Sequence, residues 1–257
     1  MIHPGVCSLT LPQLNPQEII DLCIETGLTH IEWWGKDHAP MGDISVATIV
    51  GELTRKSGLI ISTYGSYYKV GDSEEKGLSF QDVLNSAVAL KAPSIRVWAG
   101  AGGSKDCHED QRNAVIDDTF RIADMSEKEG ISITFEYHGG TLTDSNSSTI
   151  EFLGKVEHPS VFSGWQPRTG VELSENLEGL QEVLTRLSTI HVFNWTKSPE
   201  GKHLRHPLNE SIQEWQQYFD IVSKSGRDHN ALLEFVKDGK IDQFKKDAKT
   251  LVEMVNI

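Results

Sequence analysis

The chain has few cysteines and no long apolar run. Its 257 residues include Cys7, Cys23 and Cys107, which are far apart and form no CxxC pair. An odd number of widely spaced cysteines argues against a disulfide framework and predicts a reducing, cytoplasmic environment. No segment approaches about 18 consecutive apolar residues, and the first residues lack a basic stretch followed by an apolar one. We therefore expect neither a membrane span nor a signal peptide.

Basic residues are also scarce. The chain has 24 lysines and arginines against 37 aspartates and glutamates, which gives a formal net charge of −13. An acidic surface repels phosphate backbones and anionic lipid heads, so we expect neither nucleic acid nor a membrane as a partner. The sequence has no GxGxxG after its first strand and no GxxxxGK[ST], which argues against nucleotide binding. A small anionic substrate stays compatible, because a local cation can override the overall field.

The chain instead repeats one pattern, in which a short apolar run precedes an amphipathic helix. Asn15 is a candidate N-cap, followed by Pro16 at the first helical position and by Gly27 as the stop signal. Ser79 is a second candidate cap, with Asp82 completing an acidic variant of the capping box. The candidate strands begin near Ile2, Thr29, Leu59, Ser94, Ile131, Val161, Thr189 and Ala231.

Eight strand–helix units in about 250 residues predict a (β/α)8 TIM barrel, with residues 1–257 forming a single domain. A doubly wound open sheet is the alternative, because periodicity does not reveal whether a sheet closes. No linker or change in composition marks a domain boundary. The longest segment without a clear pattern is Thr196–Pro207, which we expect to be a functional loop between the seventh strand and its helix.

The segment SITFEYHGGTLTD indicates where the chemistry lies. Apolar and polar residues alternate as in a strand, yet the run ends in Glu136, with His138 two residues later on the same face. Barrel enzymes place their chemistry at the carboxyl ends of the strands, and the last four predicted strands end near Glu136, Gln166, His191 and Glu234. Two carboxylates, an amide oxygen and an imidazole suit Mn²⁺, Mg²⁺ or another divalent ion.

Several short motifs carry a resemblance to a known family. The chain resembles the sugar phosphate isomerase/epimerase family of xylose-isomerase-like barrels in IEWWGKDHAPMGD, IRVWAG, FEYHGGTLTD, IHVFNW, RHPLNESIQEW and LLEFV. The resemblance implies a TIM barrel with one divalent ion held by Glu136, Gln166, His191 and Glu234. Mn²⁺ is the first expectation, with Mg²⁺, Co²⁺ and Zn²⁺ as alternatives.

Three positions depart from the pattern of that family. Relatives usually have an aspartate where this chain has Gln166, which can bind through its amide oxygen but adds no charge. Ketose epimerases often have a further glutamate where Leu142 stands, and an arginine where Lys197 stands. We therefore do not carry over free-ketose 3-epimerisation.

The resemblance implies a metal-dependent isomerase or epimerase in carbohydrate metabolism, acting on a sugar, ketosugar or sugar phosphate. Glu136 or Glu234 would remove the proton next to the substrate carbonyl and give an enediolate. A lyase or dehydratase that uses the same intermediate is an alternative, as is a sugar-binding barrel without catalysis. An endonuclease of the same superfamily is disfavoured by the acidic charge and by Gln166. The sequence leaves open whether the chain forms a homo-oligomer.

Further polar and aromatic residues at predicted strand ends and loops are expected to contact the substrate. Arg96 has the alternative of a salt bridge to a site carboxylate such as Glu136, because a buried unpaired cation is costly. His38 in its loop and Arg205 in GKHLRHP could instead be ordinary surface residues that do not contact the substrate. The predicted substrate-binding residues are His38, Tyr64, Arg96, Trp98, His138, Lys197 and Arg205.

Overall fold

Eight parallel strands close into a barrel in the computed structural model, which describes residues 1–256. The first strand pairs with both the second strand and the last one, which confirms the TIM barrel and excludes the open sheet. Each of the eight strands begins within two residues of its predicted start. The barrel strands are β1 (Ile2–Cys7), β2 (His30–Trp34), β3 (Ile60–Lys69), β4 (Ser94–Trp98), β5 (Ser132–Glu136), β6 (Val161–Trp165), β7 (Leu187–Val192) and β10 (His229–Leu233).

Eight α-helices surround the barrel, and none of those in residues 1–256 is long and apolar enough to cross a membrane. Asn15 caps the first helix as predicted, in a reciprocal capping box with Glu18, and Gly27 ends it with φ of 80°. The helices are α1 (Pro16–Thr26), α2 (Ile44–Lys56), α3 (Phe80–Leu90), α4 (Glu109–Glu127), α5 (Asn146–Lys155), α6 (Leu173–Val183), α7 (Ile212–Ser223) and α8 (Ile241–Val255).

Two local predictions need correction. Ser79 caps α3 by accepting a hydrogen bond from the backbone of Gln81, and the described residues contain no return bond from Asp82. The segment after β7 is not an irregular loop, because it contains an antiparallel hairpin of β8 (Trp195–Lys197) and β9 (His203–Arg205). Pairing satisfies backbone groups that an irregular loop of this length would leave to water.

Alternation along the strands separates an apolar outer face from a polar inner one. Phe135 points outward and meets Phe152 of α5, with ring centroids 4.8 Å apart. Trp33 also points outward, and its indole nitrogen donates to Thr54 of α2 at 3.0 Å. The main core therefore lies between the strands and the helices, while residues of opposite parity such as Glu136 face the barrel axis.

A stacked histidine pair lies at the opposite, amino-terminal end of the barrel. The rings of His3 on β1 and His30 on β2 are 4.7 Å apart. Burial and the neighbouring His3 lower the pKa of His30 from 6.5 to about 4. The folded state therefore binds this proton less readily than the unfolded chain does.

We predict that this histidine destabilises the protein in acid. Its contribution is fully present above pH 6.5 and is lost as the pH falls towards 4, because the unfolded chain takes up the proton first. The difference between the two pKa values corresponds to at most about 3 kcal/mol of unfolding free energy. His30→Gln should flatten the decline in unfolding free energy over this range in denaturant titrations, while His108→Gln on the surface should not. Equal slopes for wild type and His30→Gln would contradict the prediction.

Candidate metal centre and active site

Three of the four predicted ligands meet at the carboxyl-terminal mouth of the barrel. Glu136 ends β5, His191 lies on β7, and Glu234 directly follows β10; all three side chains are buried. The Nδ1 atom of His191 lies 3.7 Å from Oε1 of Glu136 and 3.6 Å from Oε2 of Glu234. One ligand atom from each residue can be chosen so that all lie within 4.8 Å of one another.

The fourth predicted ligand, Gln166, directly follows β6 and faces the same cluster. Its amide nitrogen donates to the backbone oxygen of Tyr137 at 2.6 Å. Because a carbonyl oxygen only accepts, this bond fixes which end of the amide carries the oxygen. The Oε1 atom is thereby held 3.3 Å from Nδ1 of His191.

These four side chains fit a divalent cation. Two ligand atoms that each lie about 2.1 Å from one ion are separated by roughly 3.0–3.6 Å at angles of 90–120°, close to the separations observed here. Burial raises the pKa of Glu234 to about 7, and the Glu136 carboxylate adds to the rise. Burial lowers the pKa of His191, but the carboxylates of Glu234 and Glu32 outweigh it and raise that pKa to about 9. Both groups therefore tend to hold a proton in this cluster of buried carboxylates, and a cation could take the place of those protons.

A buried ion pair lies directly behind the ligands. The guanidinium of Arg96 donates to Oε2 of Glu136 through Nη1 and to Oε1 of Glu32 through Nε at 2.9 Å. The indole nitrogen of Trp98 also donates to Oε2 of Glu136, which leaves Oε1 towards His191. Arg96 thus forms the salt bridge that was the alternative to substrate binding, and Trp98 contacts the predicted ligand Glu136.

Glu32 is a further buried carboxylate at this site, and it was not among the predicted site residues. This residue is the central one of the strand HIEWW, two positions before its end, and it is 1% exposed. The signal that could have found it is parity, because β2 alternates outward Ile31 and Trp33 with inward residues. An inward carboxylate at a strand end is the same pattern that identified Glu136.

His138 and Lys197 lie with Gln166 around one cavity at the barrel mouth. The cavity has a volume of about 380 Å³ and is also lined by His203 from the hairpin. The His138 ring stacks on Trp98 with centroids 4.6 Å apart. Its Nδ1 lies 2.7 Å from the backbone oxygen of Gly139, so Nδ1 carries the proton, and the described residues offer Nε2 no partner.

Arg205 lies on the same face of the hairpin as Lys197 and His203, because it pairs with Trp195 while Lys197 pairs with His203. Its guanidinium carbon is 4.2 Å from the ring centroid of Phe235 and 5.8 Å from that of Trp195. Phe235 immediately follows Glu234 and has φ of 48°, in the left-handed region. Arg205 therefore packs beside the ligand cluster rather than around the cavity that His138 and Lys197 line.

Tyr64 and His38 do not line this cavity. Tyr64 is fully buried, pairs in register with the outward-facing Ile95, and donates its hydroxyl to the backbone oxygen of Ala39 at 2.8 Å. His38 is 3% exposed, and its two ring nitrogens contact Ser8 and the Leu14 backbone. Both side chains fasten the β2–α2 connection.

Comparison with known proteins identifies the family. A family model described as "Xylose isomerase-like TIM barrel" matches residues 20–254, so the chain belongs to that family, which confirms the resemblance seen in the sequence. A 3-dehydroshikimate dehydratase of Bacillus anthracis is 23% identical over 91% of this chain and 90% of its own length.

Solved structures share the whole fold. The probable 3-DHS dehydratase AsbF of Bacillus anthracis, involved in petrobactin synthesis, superposes with a TM-score of 0.82 at 22% identity, covering 98% of this chain and 99% of that one. A xylose isomerase-like TIM barrel protein of Mycobacterium smegmatis, solved in complex with magnesium, has a TM-score of 0.76 at 14% identity, covering 98% and 96%.

We predict that the protein binds one equivalent of a divalent ion, with Mn²⁺ the first expectation. Glu234→Ala should weaken binding by more than about 100-fold, since partners outside the ligand set alone typically account for 10–100-fold. Elemental analysis and titration check this, with Glu127→Ala of the exposed Asp124–Glu127–His158 group as the matched control. No metal in wild type, or full occupancy in Glu234→Ala, would refute the assignment.

We predict that Gln166→Asp tightens metal binding by about tenfold, because a charged ligand lowers the energy of the ion more than an amide dipole does. The shorter side chain also loses the hydrogen bond to Tyr137 that Gln166 makes. Gln166→Asn shares that loss without adding charge and should bind more weakly than wild type. Metal titration of the three proteins separates charge from length, and weaker binding by the Asp variant would place residue 166 outside the ligand set.

Proposed function

We propose that this protein is a divalent-metal-dependent lyase that dehydrates 3-dehydroshikimate or a cyclic keto-acid of the same class. The main support for this proposal is that His138, Gln166 and Lys197 line the same cavity, and that Nε2 of His138 has no hydrogen-bond partner among the described residues. Lys197 is exposed at the edge of this cavity, and among the described residues it forms no ion pair with a carboxylate. A lyase was the alternative to an isomerase in the sequence analysis, and the similar Bacillus anthracis dehydratase favours it.

The substrate chemistry matches the charges around the cavity. 3-Dehydroshikimate has a ring ketone, a hydroxyl on the next carbon, a second hydroxyl one carbon further, and a carboxylate. A carboxylate is an anion that Lys197 can bind, with His203 beside it and Arg205 further along the same face of the hairpin. A neutral ketose offers no such partner for an unpaired lysine.

The proposed proton path starts at His138. The Gly139 backbone oxygen keeps its Nδ1 protonated, so Nε2 takes the proton from the carbon next to the ketone. The electron pair forms a carbon–carbon double bond as the neighbouring C–O bond breaks, and the imidazolium returns its proton to the departing hydroxyl as water. Transfer of a ring proton to the keto oxygen then completes an aromatic dihydroxybenzoate. A divalent ion in the site supplies Lewis-acid polarisation of the keto oxygen.

This assignment moves the base away from the two glutamates expected from the sequence. Burial raises the pKa of Glu136, but Arg96 outweighs it and lowers that pKa below its usual value, which makes the group a weak base. The carboxylates of Glu136 and Glu234 both point towards Nδ1 of His191. We therefore propose them as metal ligands only, with His138 as the catalytic base.

The isomerase or epimerase expected from the sequence shares the first proton abstraction and differs in its product. Return of the proton to carbon keeps every atom, whereas elimination removes one water from the substrate. Leu142, where ketose epimerases often have a second acidic residue, is apolar and 2% exposed, which disfavours a second proton donor at that position. Mass analysis of the product distinguishes the two reactions.

We predict that the metal-loaded protein converts 3-dehydroshikimate into an aromatic acid lighter by one water. His138→Asn should lower kcat by at least about 100-fold, the lower end of the usual contribution of a general base. Lys197→Met should mainly raise KM, because the carboxylate contact exists before and during the reaction. Absorbance of the aromatic product and its mass provide the measurements.

The surface variant His108→Asn is the control for histidine loss and should keep wild-type rates. Ketosugars and sugar phosphates form the comparison panel. Absence of dehydration by the metal-loaded wild type, combined with isomerisation of any panel member, would replace the lyase with the isomerase. A metal-loaded protein without turnover on any of these substrates would refute both assignments.

A further inference from the structure

A buried glutamate that is not in the predicted ligand set lies against two members of that set. The side chains of Glu32 and Arg96 are each 2% exposed. Arg96 joins Glu32 to Glu136, since it donates to one carboxylate oxygen of each. The non-ligand carboxylate on β2 is therefore coupled to the ligand carboxylate on β5 through one planar guanidinium.

The other oxygen of Glu32 faces the histidine. Oε2 of Glu32 lies 3.7 Å from Nε2 of His191, and within residues 1–256 neither atom has a hydrogen-bond partner. The opposite nitrogen of the ring, Nδ1, faces Glu136, Glu234 and Gln166. The imidazole thus lies between the proposed cation position and Glu32. Two buried polar atoms without partners are costly, and these two can satisfy each other after a small side-chain rotation.

A glycine on β3 provides the space for this pair. A Cβ atom at Gly65 would lie 2.7 Å from Oε1 of Glu32 and 2.9 Å from Nη2 of Arg96. Real Cβ contacts essentially never come this close, so any side chain at this position would displace the ion pair. The barrel interior at this level is therefore shaped around Glu32 and Arg96.

We propose that Glu32 is a positioning residue of the metal centre. It accepts the Nε2 proton of His191, which leaves the Nδ1 lone pair for the cation, and through Arg96 it holds Glu136 with Oε1 towards the same position. Carboxylates that orient a histidine ligand in this way account for about 10–100-fold in metal affinity.

The nearby Cys7 suggests a competing occupant. Ligand atoms of Cys7, Glu32 and His191 also lie within 4.8 Å of one another, so a second cation could take the place of the Nε2 proton. Arg96 argues against it, because its guanidinium already neutralises Glu32 from 2.9 Å. A stoichiometry of two ions per chain that falls to one in Cys7→Ser would overturn the positioning role.

The test measures metal binding and needs no substrate. Mn²⁺ and Co²⁺ are titrated against a chelating dye with wild type, Glu32→Gln and Gly65→Ala, and with Glu52→Gln on the surface of α2 as the control. We expect both interior variants to bind about 10–100-fold more weakly and the control to match wild type. The visible spectrum of the Co²⁺ protein should change in the two interior variants, because it reports the geometry of the ligands.

Thermal unfolding of the metal-free proteins separates positioning from a merely structural role. A structural role would lower the metal-free melting temperature and leave both the affinity and the Co²⁺ spectrum unchanged, which would overturn the proposal. Should Glu32→Gln fail to fold, Gly65→Ala and the charge-preserving Glu32→Asp decide the question, and wild-type affinity in both would be the contrary result. These outcomes do not depend on dehydratase activity, so they stand apart from the proposed function.

Discussion

The buried guanidinium of Arg96 is the interaction on which the barrel mouth depends. Three carboxylates, those of Glu32, Glu136 and Glu234, are nearly inaccessible to water, and Arg96 contacts two of them. Removing charges from water is costly unless they are paired, so this arrangement holds only because the guanidinium reaches two strands at once. Within residues 1–256, the one basic side chain that lies within 4 Å of the Glu234 carboxylate is His191, and the pKa values of both groups are raised towards their protonated forms. A divalent ion would replace those protons, which couples metal binding to proton release.

The barrel strands carry apolar side chains on their outer face and the charged groups of the site on their inner face. The apolar residues that stabilise the fold point outward to the helices, as Phe135 does against Phe152. The inward positions are then free to carry groups whose burial opposes folding. Because side chains alternate along each strand, the outer face can stabilise the fold while the inner face carries the candidate site. The closed sheet brings the ends of β5, β6, β7 and β10 to one mouth.

The sequence predicted the barrel because the strand and helix signals are local, as with the Asn15 capping box and the Gly27 stop. It predicted the positions of Glu136, Gln166, His191 and Glu234 because strand ends converge in any parallel barrel. It assigned Tyr64 to the substrate although this side chain points outward, because periodicity gives two faces without showing which one points inward. A register shift between Ile31 and Glu32 also breaks the count from β2 to β3. The role of Glu32 depends on contacts across three strands, which no local pattern contains. The β8–β9 hairpin was missed because its strands are three residues long.

The neutral amide at position 166 and the cations of the hairpin both make the surroundings of the cavity less negative. With Gln166 as a ligand, two carboxylates would balance one divalent ion, whereas an aspartate there would leave the centre with a net negative charge. An anionic keto-acid entering beside that centre would be repelled by the extra carboxylate at short range, where the interior screens poorly. Lys197 on the hairpin then adds positive charge at the open side of the cavity, although the chain as a whole carries −13. A metal centre without net charge beneath a basic hairpin would favour a negatively charged substrate over a neutral sugar, in line with the proposed function, and the selectivity would arise from local electrostatics within an acidic protein.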